Sequence, residues 1–275
     1  MNAIPKTIRS LFVSHGAPTF ALEPGLAGPA LRRLGEALPR PEAVLVVSPH
    51  WMTATVEVGA HPQPQTIHDF GGFPEAMYQL QYPAPGHPAL AGETVEHLRA
   101  AGWDARVNQE RGLDHGAWVP LMHLLPDASV PVFQVSLPAN LTSDRAWALG
   151  GSLSPMIDKG VLIVGSGSLT HNLSEVRWRD ASGDAYARAF SDWVREAVTT
   201  GDHDRLKRTL TDAPHARRAH PTTEHFLPLL VAAGAAGNAS PASVIEGGIE
   251  HGVLSMDGFV FGRTRQTAAA GGLAS

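Results

Sequence analysis

Four short, mainly apolar runs bounded by turn-forming residues constrain the fold of this chain more than any other feature of its sequence. The runs cover residues 8–13, 43–47, 131–136 and 161–166. Such runs are typical of strands buried in the middle of a sheet, because a strand with one face in water alternates polar and apolar side chains. Residues 55–59 and 258–262 indicate two further strands.

Helical patterns lie between these strands. Apolar residues recur at a spacing of four from Leu26 through Ala30 and Leu34 to Leu38, and another apolar helix face runs through residues 190–198. Strands that alternate with helices predict an α/β fold in which helices cover both sides of a sheet. The last residues are rich in glycine and alanine, and we expect residues 267–275 to form a flexible C-terminal tail.

Composition excludes several classes of function. The chain has no cysteine, so disulfide scaffolds, thiolate zinc sites and cysteine nucleophiles are ruled out. The formal net charge is −5 and no basic stripe is present, which argues against nucleic-acid binding. Near the start, Leu11 to Val13 is the longest apolar run, too short for a signal-peptide core or a membrane span. We therefore expect a soluble cytoplasmic protein.

Three histidines follow three of the predicted buried strands. His15 comes directly after the first apolar run, His50 shortly after the second and His171 after the fourth. Open α/β sheets bind ligands in the crevice beyond the carboxyl ends of their strands. One histidine in such a place is most often an ordinary loop residue, but three of them in a chain without cysteine favour a site for a single divalent metal.

Two more histidines are candidates with stronger ordinary alternatives. His225 precedes an apolar helical pattern and could reach inward, although a solvent-facing helix start explains it as well, and the adjacent Glu224 is an alternative ligand. His115 lies before another apolar helix and could donate or accept a proton near neutral pH. Its ordinary alternative is that Asp114 caps this helix and His115 is a bystander.

With these residues in hand, the chain resembles the class III, or LigB-type, extradiol ring-cleavage dioxygenases, and within them the 4,5-DOPA dioxygenase branch. The matching segments are FVSHGAP at 12–18, VSPHW at 47–51, LDHGAW at 113–118, GSGSLTHN at 165–172 and EHFLPL at 224–229. These five segments lie in order across nearly the whole chain, which makes the combination far more specific than any one of them.

The resemblance implies a single catalytic domain at residues 1–266, with a central mixed β-sheet flanked by helices. It implies that His15, His50 and His225 bind the metal, that His171 is a fourth ligand or a base, and that His115 is the second acid-base group. The family works with one Fe(II) per chain, although an all-histidine site suits Zn(II) as well. The implied substrates are dioxygen and a small aromatic diol, a DOPA-like or related catechol.

Weaker candidates for substrate contacts are aromatic residues and two further histidines. The aromatic residues are Trp51, Phe70, Phe73, Tyr78 and Trp118. They could wall the substrate pocket, but core packing is the more common role of such side chains. His68 and His220 flank loops and could touch a substrate. The proline-rich stretch 61–88 is expected to be a long irregular loop, and such loops are often functional.

Two other functions remain open at the level of sequence. The first is a zinc-dependent hydrolase on the same histidines, in which the metal activates water without redox chemistry. The second is a non-catalytic metal-binding protein of the Memo type. The acid-base candidates His115 and His171 argue against this second alternative.

Overall fold

The computed structural model describes residues 7–237 and 242–263, which form strands and helices that alternate along the chain. The strands are β1 (Thr7–Ser14), β2 (Ala43–Thr53), β3 (Val56–Gly59), β4 (Ala105–Asn108), β5 (Val132–Pro138), β6 (Val161–Gly167), β7 (Ser243–Ile245), β8 (Ile249–Glu250), β9 (Leu254–Ser255) and β10 (Gly258–Arg263). The helices are α1 (Ala27–Ala37), α2 (Glu75–Tyr78), α3 (Pro88–Ala100), α4 (His115–Leu124), α5 (Ser143–Leu153), α6 (Ala185–Thr200), α7 (His203–Lys207), α8 (Thr209–Asp212), α9 (Ala216–Ala219) and α10 (Leu227–Ala236).

Eight of these strands build one mixed sheet in the order β4-β3-β5-β2-β6-β1-β10-β7, and β8 pairs separately with β9. The four central strands, from β5 to β1, run parallel to one another. Antiparallel pairs flank them, because β3 runs against β5 and β10 runs against β1. The predicted fold, a single α/β domain with a central mixed sheet flanked by helices, is confirmed.

Alternate residues of the central strands face two separate apolar layers. Val44 and Val46 pack with α1 and α4 on one face, whereas Leu45 and Val47 pack with α5, α6 and α10 on the other. Burial on both faces explains why these strands are mainly apolar and do not alternate between polar and apolar residues. The short edge strand β4 was not predicted from the sequence, because three of its four side chains are not buried and it carries no apolar run.

The buried face of α1 agrees with the predicted one in part. Leu34 is buried, and the predicted Ala30 and Leu38 are partly buried against the same core. Leu26 precedes the helix and is 67% exposed, whereas Leu31, which the spacing of four omits, is buried. A strict spacing of four drifts around an α-helix by about 40° at each step, so a residue at the end of such a series leaves the buried face.

The remaining features of the chain are the length and apolar character of its helices and the C-terminal tail. Within residues 7–237 and 242–263, no helix combines the length and the apolar character needed to cross a membrane. The predicted C-terminal tail, residues 267–275, lies outside the described residues, so its flexibility and the boundary at residue 266 stay predictions.

Helices α5 and α10 approach closely because Gly150 has no side chain. A Cβ atom at Gly150 would lie 2.0 Å from the carbonyl oxygen of Val231, which is far inside van der Waals contact. A Cβ atom at the neighbouring Gly151 would meet nothing nearer than the carbonyl oxygen of Gly234, at 4.0 Å. The two adjacent glycines therefore differ sharply in what a methyl group would do.

We expect Gly150→Ala to lower the free energy of unfolding by about 1–3 kcal/mol, because α10 must shift to admit the methyl group. Gly151→Ala is the matched control and should raise the same quantity by up to about 1 kcal/mol, since alanine favours the helix more than glycine does. Urea unfolding followed by circular dichroism measures both variants. Equal stabilities of the two would contradict the close packing.

Candidate active site

Three adjacent parallel strands bring three of the predicted site histidines to one edge of the sheet. His15 directly follows β1, His50 lies near the end of β2 and His171 follows β6. These strands are neighbours in the order β2-β6-β1. The backbone N–H of His15 donates to the carbonyl oxygen of Gly167 at 2.9 Å, which continues the β1–β6 pairing up to the histidine.

Two helices carry the other two histidines to the same edge. His115 is the first residue of α4, and His225 lies two residues before α10. Gly167 at the end of β6 allows His225 to lie at this edge, because a Cβ atom at residue 167 would lie 2.2 Å from the carbonyl oxygen of His225. That oxygen accepts a hydrogen bond from the backbone N–H of Ser168 at 2.9 Å. The start of α10 therefore lies directly against the end of β6.

All five predicted site histidines meet in one cluster. The Nε2 atoms of His15 and His50 are 3.1 Å apart, and the rings of His15, His50 and His225 have centroid separations of 5.0, 5.1 and 5.4 Å. The ring of His115 lies 3.9 Å from that of His50, and the ring of His171 stacks on His225 at 3.5 Å. The five rings line one cavity of about 350 Å³, which is within the range of small-molecule sites.

Two sets of side chains in this cluster have ligand atoms close enough to share a metal ion. Nitrogens of His15, His50 and His115 lie within 4.8 Å of one another. Atoms of His171, Glu224 and His225 form a second set with the same limit. His115 therefore lies close enough to His15 and His50 to be a third metal ligand.

Hydrogen bonds behind two of the rings determine which nitrogen faces the cavity. The hydroxyl of Ser166 donates its single hydrogen to the carbonyl oxygen of Gly116, so it accepts from Nδ1 of His15 at 3.0 Å. Nδ1 of His225 likewise donates to the carboxylate of Glu224 at 3.1 Å. Both rings thus turn an unprotonated Nε2 away from these partners, and the buried Nε2 of His225 has no hydrogen-bond partner. Metal-binding histidines are held in this way.

Burial keeps four imidazoles of the cluster neutral, those of His15, His50, His171 and His225. Removal from water lowers the pKa of His15 and of His225 well below the usual value, and the neighbouring histidines lower it further. Burial also lowers the pKa of His50 and of His171 to about 4, although nearby carboxylates oppose the shift. Neutral imidazoles offer lone pairs, so the donor set fits a divalent metal ion.

Asp69 holds His115 in place and was missed by the sequence analysis. Its Oδ1 accepts from the backbone N–H of His115 at 2.9 Å and from Nδ1 at 3.0 Å, and its Oδ2 lies 3.8 Å from Nδ1 of His50. Burial raises the pKa of Asp69, but the hydrogen bonds from His115 outweigh it and lower the pKa to about 2. Asp114 caps α4, as the ordinary alternative predicted, by accepting from the N–H of Ala117 at 3.2 Å.

Apolar side chains form the rest of the cavity wall. Phe70 and Phe73 line it, in agreement with the prediction. The other predicted aromatic residues are not part of the wall: Trp51, Tyr78 and Trp118. Trp178 does line the cavity, and its ring contacts that of Phe73 edge to face at 6.1 Å. No sequence pattern indicates Trp178, because it follows His171 without any periodicity.

His68 and His220 do not reach the cavity. Their Nε2 atoms lie 2.9 Å from backbone carbonyl oxygens, those of Leu80 and Leu169 respectively. Burial lowers the pKa of His220 to about 4, and its Nδ1 has no hydrogen-bond partner. The idea that these two histidines touch a substrate is therefore replaced by a structural role in holding the backbone.

Comparison with known proteins agrees with this geometry. Residues 21–261 match the family model described as the catalytic LigB subunit of aromatic ring-opening dioxygenase. The chain is 39% identical to a 4,5-DOPA dioxygenase extradiol of Beta vulgaris over 93% of this chain and 97% of that protein. It is also 39% identical to the protein of that name in Escherichia coli K12, over 90% of this chain and 92% of that protein. The crystal structure of an uncharacterized protein from Escherichia coli K12 superimposes with a TM-score of 0.78 at 33% identity, covering 93% of this chain and all of that one.

These matches place the molecule among the non-haem, metal-dependent oxidoreductases. More narrowly, the chain belongs to the LigB family of aromatic ring-opening dioxygenases, and it is an extradiol dioxygenase. The resemblance drawn from five sequence segments is confirmed. No finding among these comparisons favours a hydrolase or a non-catalytic metal-binding protein.

Acidification below pH 6.5 should destabilise the protein in part through His220. Between pH 6.5 and 4 the unfolded chain protonates this histidine and the folded chain does not, so stability falls as the pH falls. We expect His220→Gln, which keeps a donor for the carbonyl oxygen of Leu169, to remove up to about 3 kcal/mol of this pH dependence. Urea unfolding across this pH window, with EDTA present so that metal release does not contribute, measures the effect. The control His97→Gln on α3 should leave the dependence unchanged, and a His220→Gln curve that follows the wild type would contradict the assignment.

Proposed function

We propose that the chain binds one divalent metal through His15, His50 and His225 and opens the ring of a small catechol with dioxygen at that site. The observation that carries the proposal is the buried, unpartnered Nε2 of His225 in the same cavity as the Nε2 atoms of His15 and His50. A buried polar nitrogen without a partner is costly, and a bound cation removes that cost.

The partners behind the rings support this ligand set. Ser166 and Glu224 hold the Nδ1 atoms of His15 and His225, so the nitrogens that remain free are in the cavity. An all-imidazole site accepts Fe(II) as well as Zn(II). Fe(II) is the metal we propose for activity, because when bound it supplies a meeting point for the diol and dioxygen together with the redox chemistry that zinc lacks.

The side chains around the histidines bind the aromatic ring and move protons. Phe70 and Phe73 offer apolar surface to the ring and exclude water from it. His115 is the proposed acid-base residue, because Asp69 fixes its Nδ1 and leaves Nε2 as the atom that exchanges a proton with a catechol hydroxyl. For His171, its place favours the role of fourth ligand over that of base, since its ring stacks on His225 at 3.5 Å and ligand atoms of the two residues lie within 4.8 Å of each other.

The names of the relatives support a substrate class. Two full-length relatives are called 4,5-DOPA dioxygenases extradiol. We therefore propose that the substrate is a catechol with a single short ring substituent, as in DOPA and related compounds.

Removal of a proposed ligand should release the metal. We expect His15→Ala, His50→Ala and His225→Ala to be purified without bound metal, because each loses one of a small set of ligands. His115→Ala should keep the metal and lose turnover by at least about 100-fold, the usual contribution of an acid-base residue. His97→Ala on α3 is the control and should match the wild type in both respects.

Elemental analysis and oxygen uptake measure the two quantities separately. Full metal content in His15→Ala would contradict the ligand set. Loss of metal in His115→Ala, combined with retention in His225→Ala, would instead make His115 the third ligand, consistent with its place beside His15 and His50.

Metal exchange tests the reaction itself. The protein reconstituted anaerobically with Fe(II) should consume one dioxygen per catechol and give a product whose mass exceeds that of the catechol by two oxygen atoms. The Zn(II)-loaded and metal-free proteins should consume none, because neither has a redox-active ion. Absence of oxygen uptake with every member of a catechol panel would contradict the proposed function. Activity of the zinc form on hydrolysable substrates would show that the protein is a hydrolase instead.

A further inference from the structure

The cavity is polar at its inner end and apolar everywhere else. Its inner end consists of the clustered histidines, while the outer walls are the rings of Phe70, Phe73 and Trp178 and the side chains of Leu173 and Val176. Among the described residues that line it, none is an aspartate, glutamate, lysine or arginine. A ligand that extends outward from the histidines therefore meets no charged side chain in the cavity wall itself.

Two arginines near the cavity in sequence or in space are already paired. Arg111 donates to the backbone oxygen of His50 at 3.0 Å and to the buried carboxylate of Asp114 at 3.2 Å. Arg177, next to Trp178, donates to Asp180 at 2.8 Å and to Asp184 at 2.6 Å. A substrate carboxylate would have to break these pairs to gain a cation from either arginine.

Large apolar side chains stand exposed at the mouth of the cavity. Leu173 is 64% exposed and Trp178 is 59% exposed, although Phe73 and His251 pack against the indole ring at 6.1 and 4.8 Å. A ligand that covers these side chains gains binding free energy from the apolar surface that it removes from water. The mouth of the cavity thus favours the binding of a catechol with an apolar substituent.

We propose that this enzyme selects catechols with an uncharged ring substituent over catechols whose substituent carries charge, DOPA included. The inference rests on the proposed function, since it takes the two hydroxyls to face the histidines. The substituent then extends toward the exposed side chains of Leu173 and Trp178. A carboxylate or ammonium group on this path loses water without gaining a partner, whereas an alkyl group gains contact area.

Four catechols of similar size test the selectivity on the Fe(II)-loaded enzyme: 4-ethylcatechol, dopamine, 3-(3,4-dihydroxyphenyl)propionate and DOPA. We expect 4-ethylcatechol to have the lowest KM, by about tenfold or more, which is the fold-change that one unpaired charged group produces. The kcat values should differ less, because the substituent lies away from the reacting carbons. A lower KM for DOPA or for the propionate would overturn the inference and leave the dioxygenase function intact.

Anaerobic calorimetry with the same four catechols gives dissociation constants that do not depend on turnover. The same ranking is expected there. If no catechol is consumed, the proposed function fails, yet the ranking of dissociation constants still decides the selectivity. A ranking led by a charged catechol would overturn the inference in this measurement too.

Substitutions at the mouth locate the effect. Leu173→Arg adds a cation to the cavity wall. We expect this variant to lower the KM for the propionate by about tenfold relative to the KM for 4-ethylcatechol. Leu26→Arg is the matched control, because Leu26 is also exposed but lies outside the cavity wall, and it should leave the ratio unchanged. Arg179→Gln, at the residue next to Trp178, should also leave the ratio of the two KM values unchanged. A selective loss of DOPA binding in this variant would mean that Arg179 binds the carboxylate of DOPA at the mouth of the cavity, contrary to the inference.

Discussion

The parallel pairing of β2, β6 and β1 is the constraint on which the rest of the site depends. Hydrogen bonds fix the register of these strands, so that Val47 lies opposite Gly165 and Ser14 opposite Gly167. The chain segments that follow must leave the sheet at the same edge. The histidines at these strand ends are therefore brought together by backbone geometry and need no direct attraction between their side chains, which repel one another when protonated.

Burial then gives this cluster its chemical character. The same removal from water that lowers the pKa of His15 and His225 would be unfavourable for an isolated polar ring, and it is tolerated because Ser166 and Glu224 satisfy one nitrogen of each. The other nitrogen is left with a lone pair inside the cavity. The packing of α10 against β6 thus makes the imidazoles of His15 and His225 neutral, fixes their orientation and leaves one nitrogen of each able to bind a ligand.

Sequence patterns revealed those parts of the molecule that have a local signature. Apolar runs marked the central strands, and the position of a histidine after a run marked His15, His50 and His171. Asp69 and Ser166 escaped because their partners are remote: Asp69 is 46 residues from His115, and Ser166 is 50 residues from Gly116. Nothing within a short window of sequence distinguishes such a residue from any other polar loop or strand residue. On α1, Leu26 was wrongly placed on the inward face for a different reason, since a spacing of four only approximates the helical repeat.

The loop between β3 and α3 carries both Asp69, which orients His115, and Phe70, which forms the cavity wall. These two neighbours belong to one stretch of backbone, so the segment that sets the width of the cavity at Phe70 also sets the position of the carboxylate that holds His115. A change of sequence that moved this segment to widen the cavity would move the hydrogen-bond partner of that histidine with it.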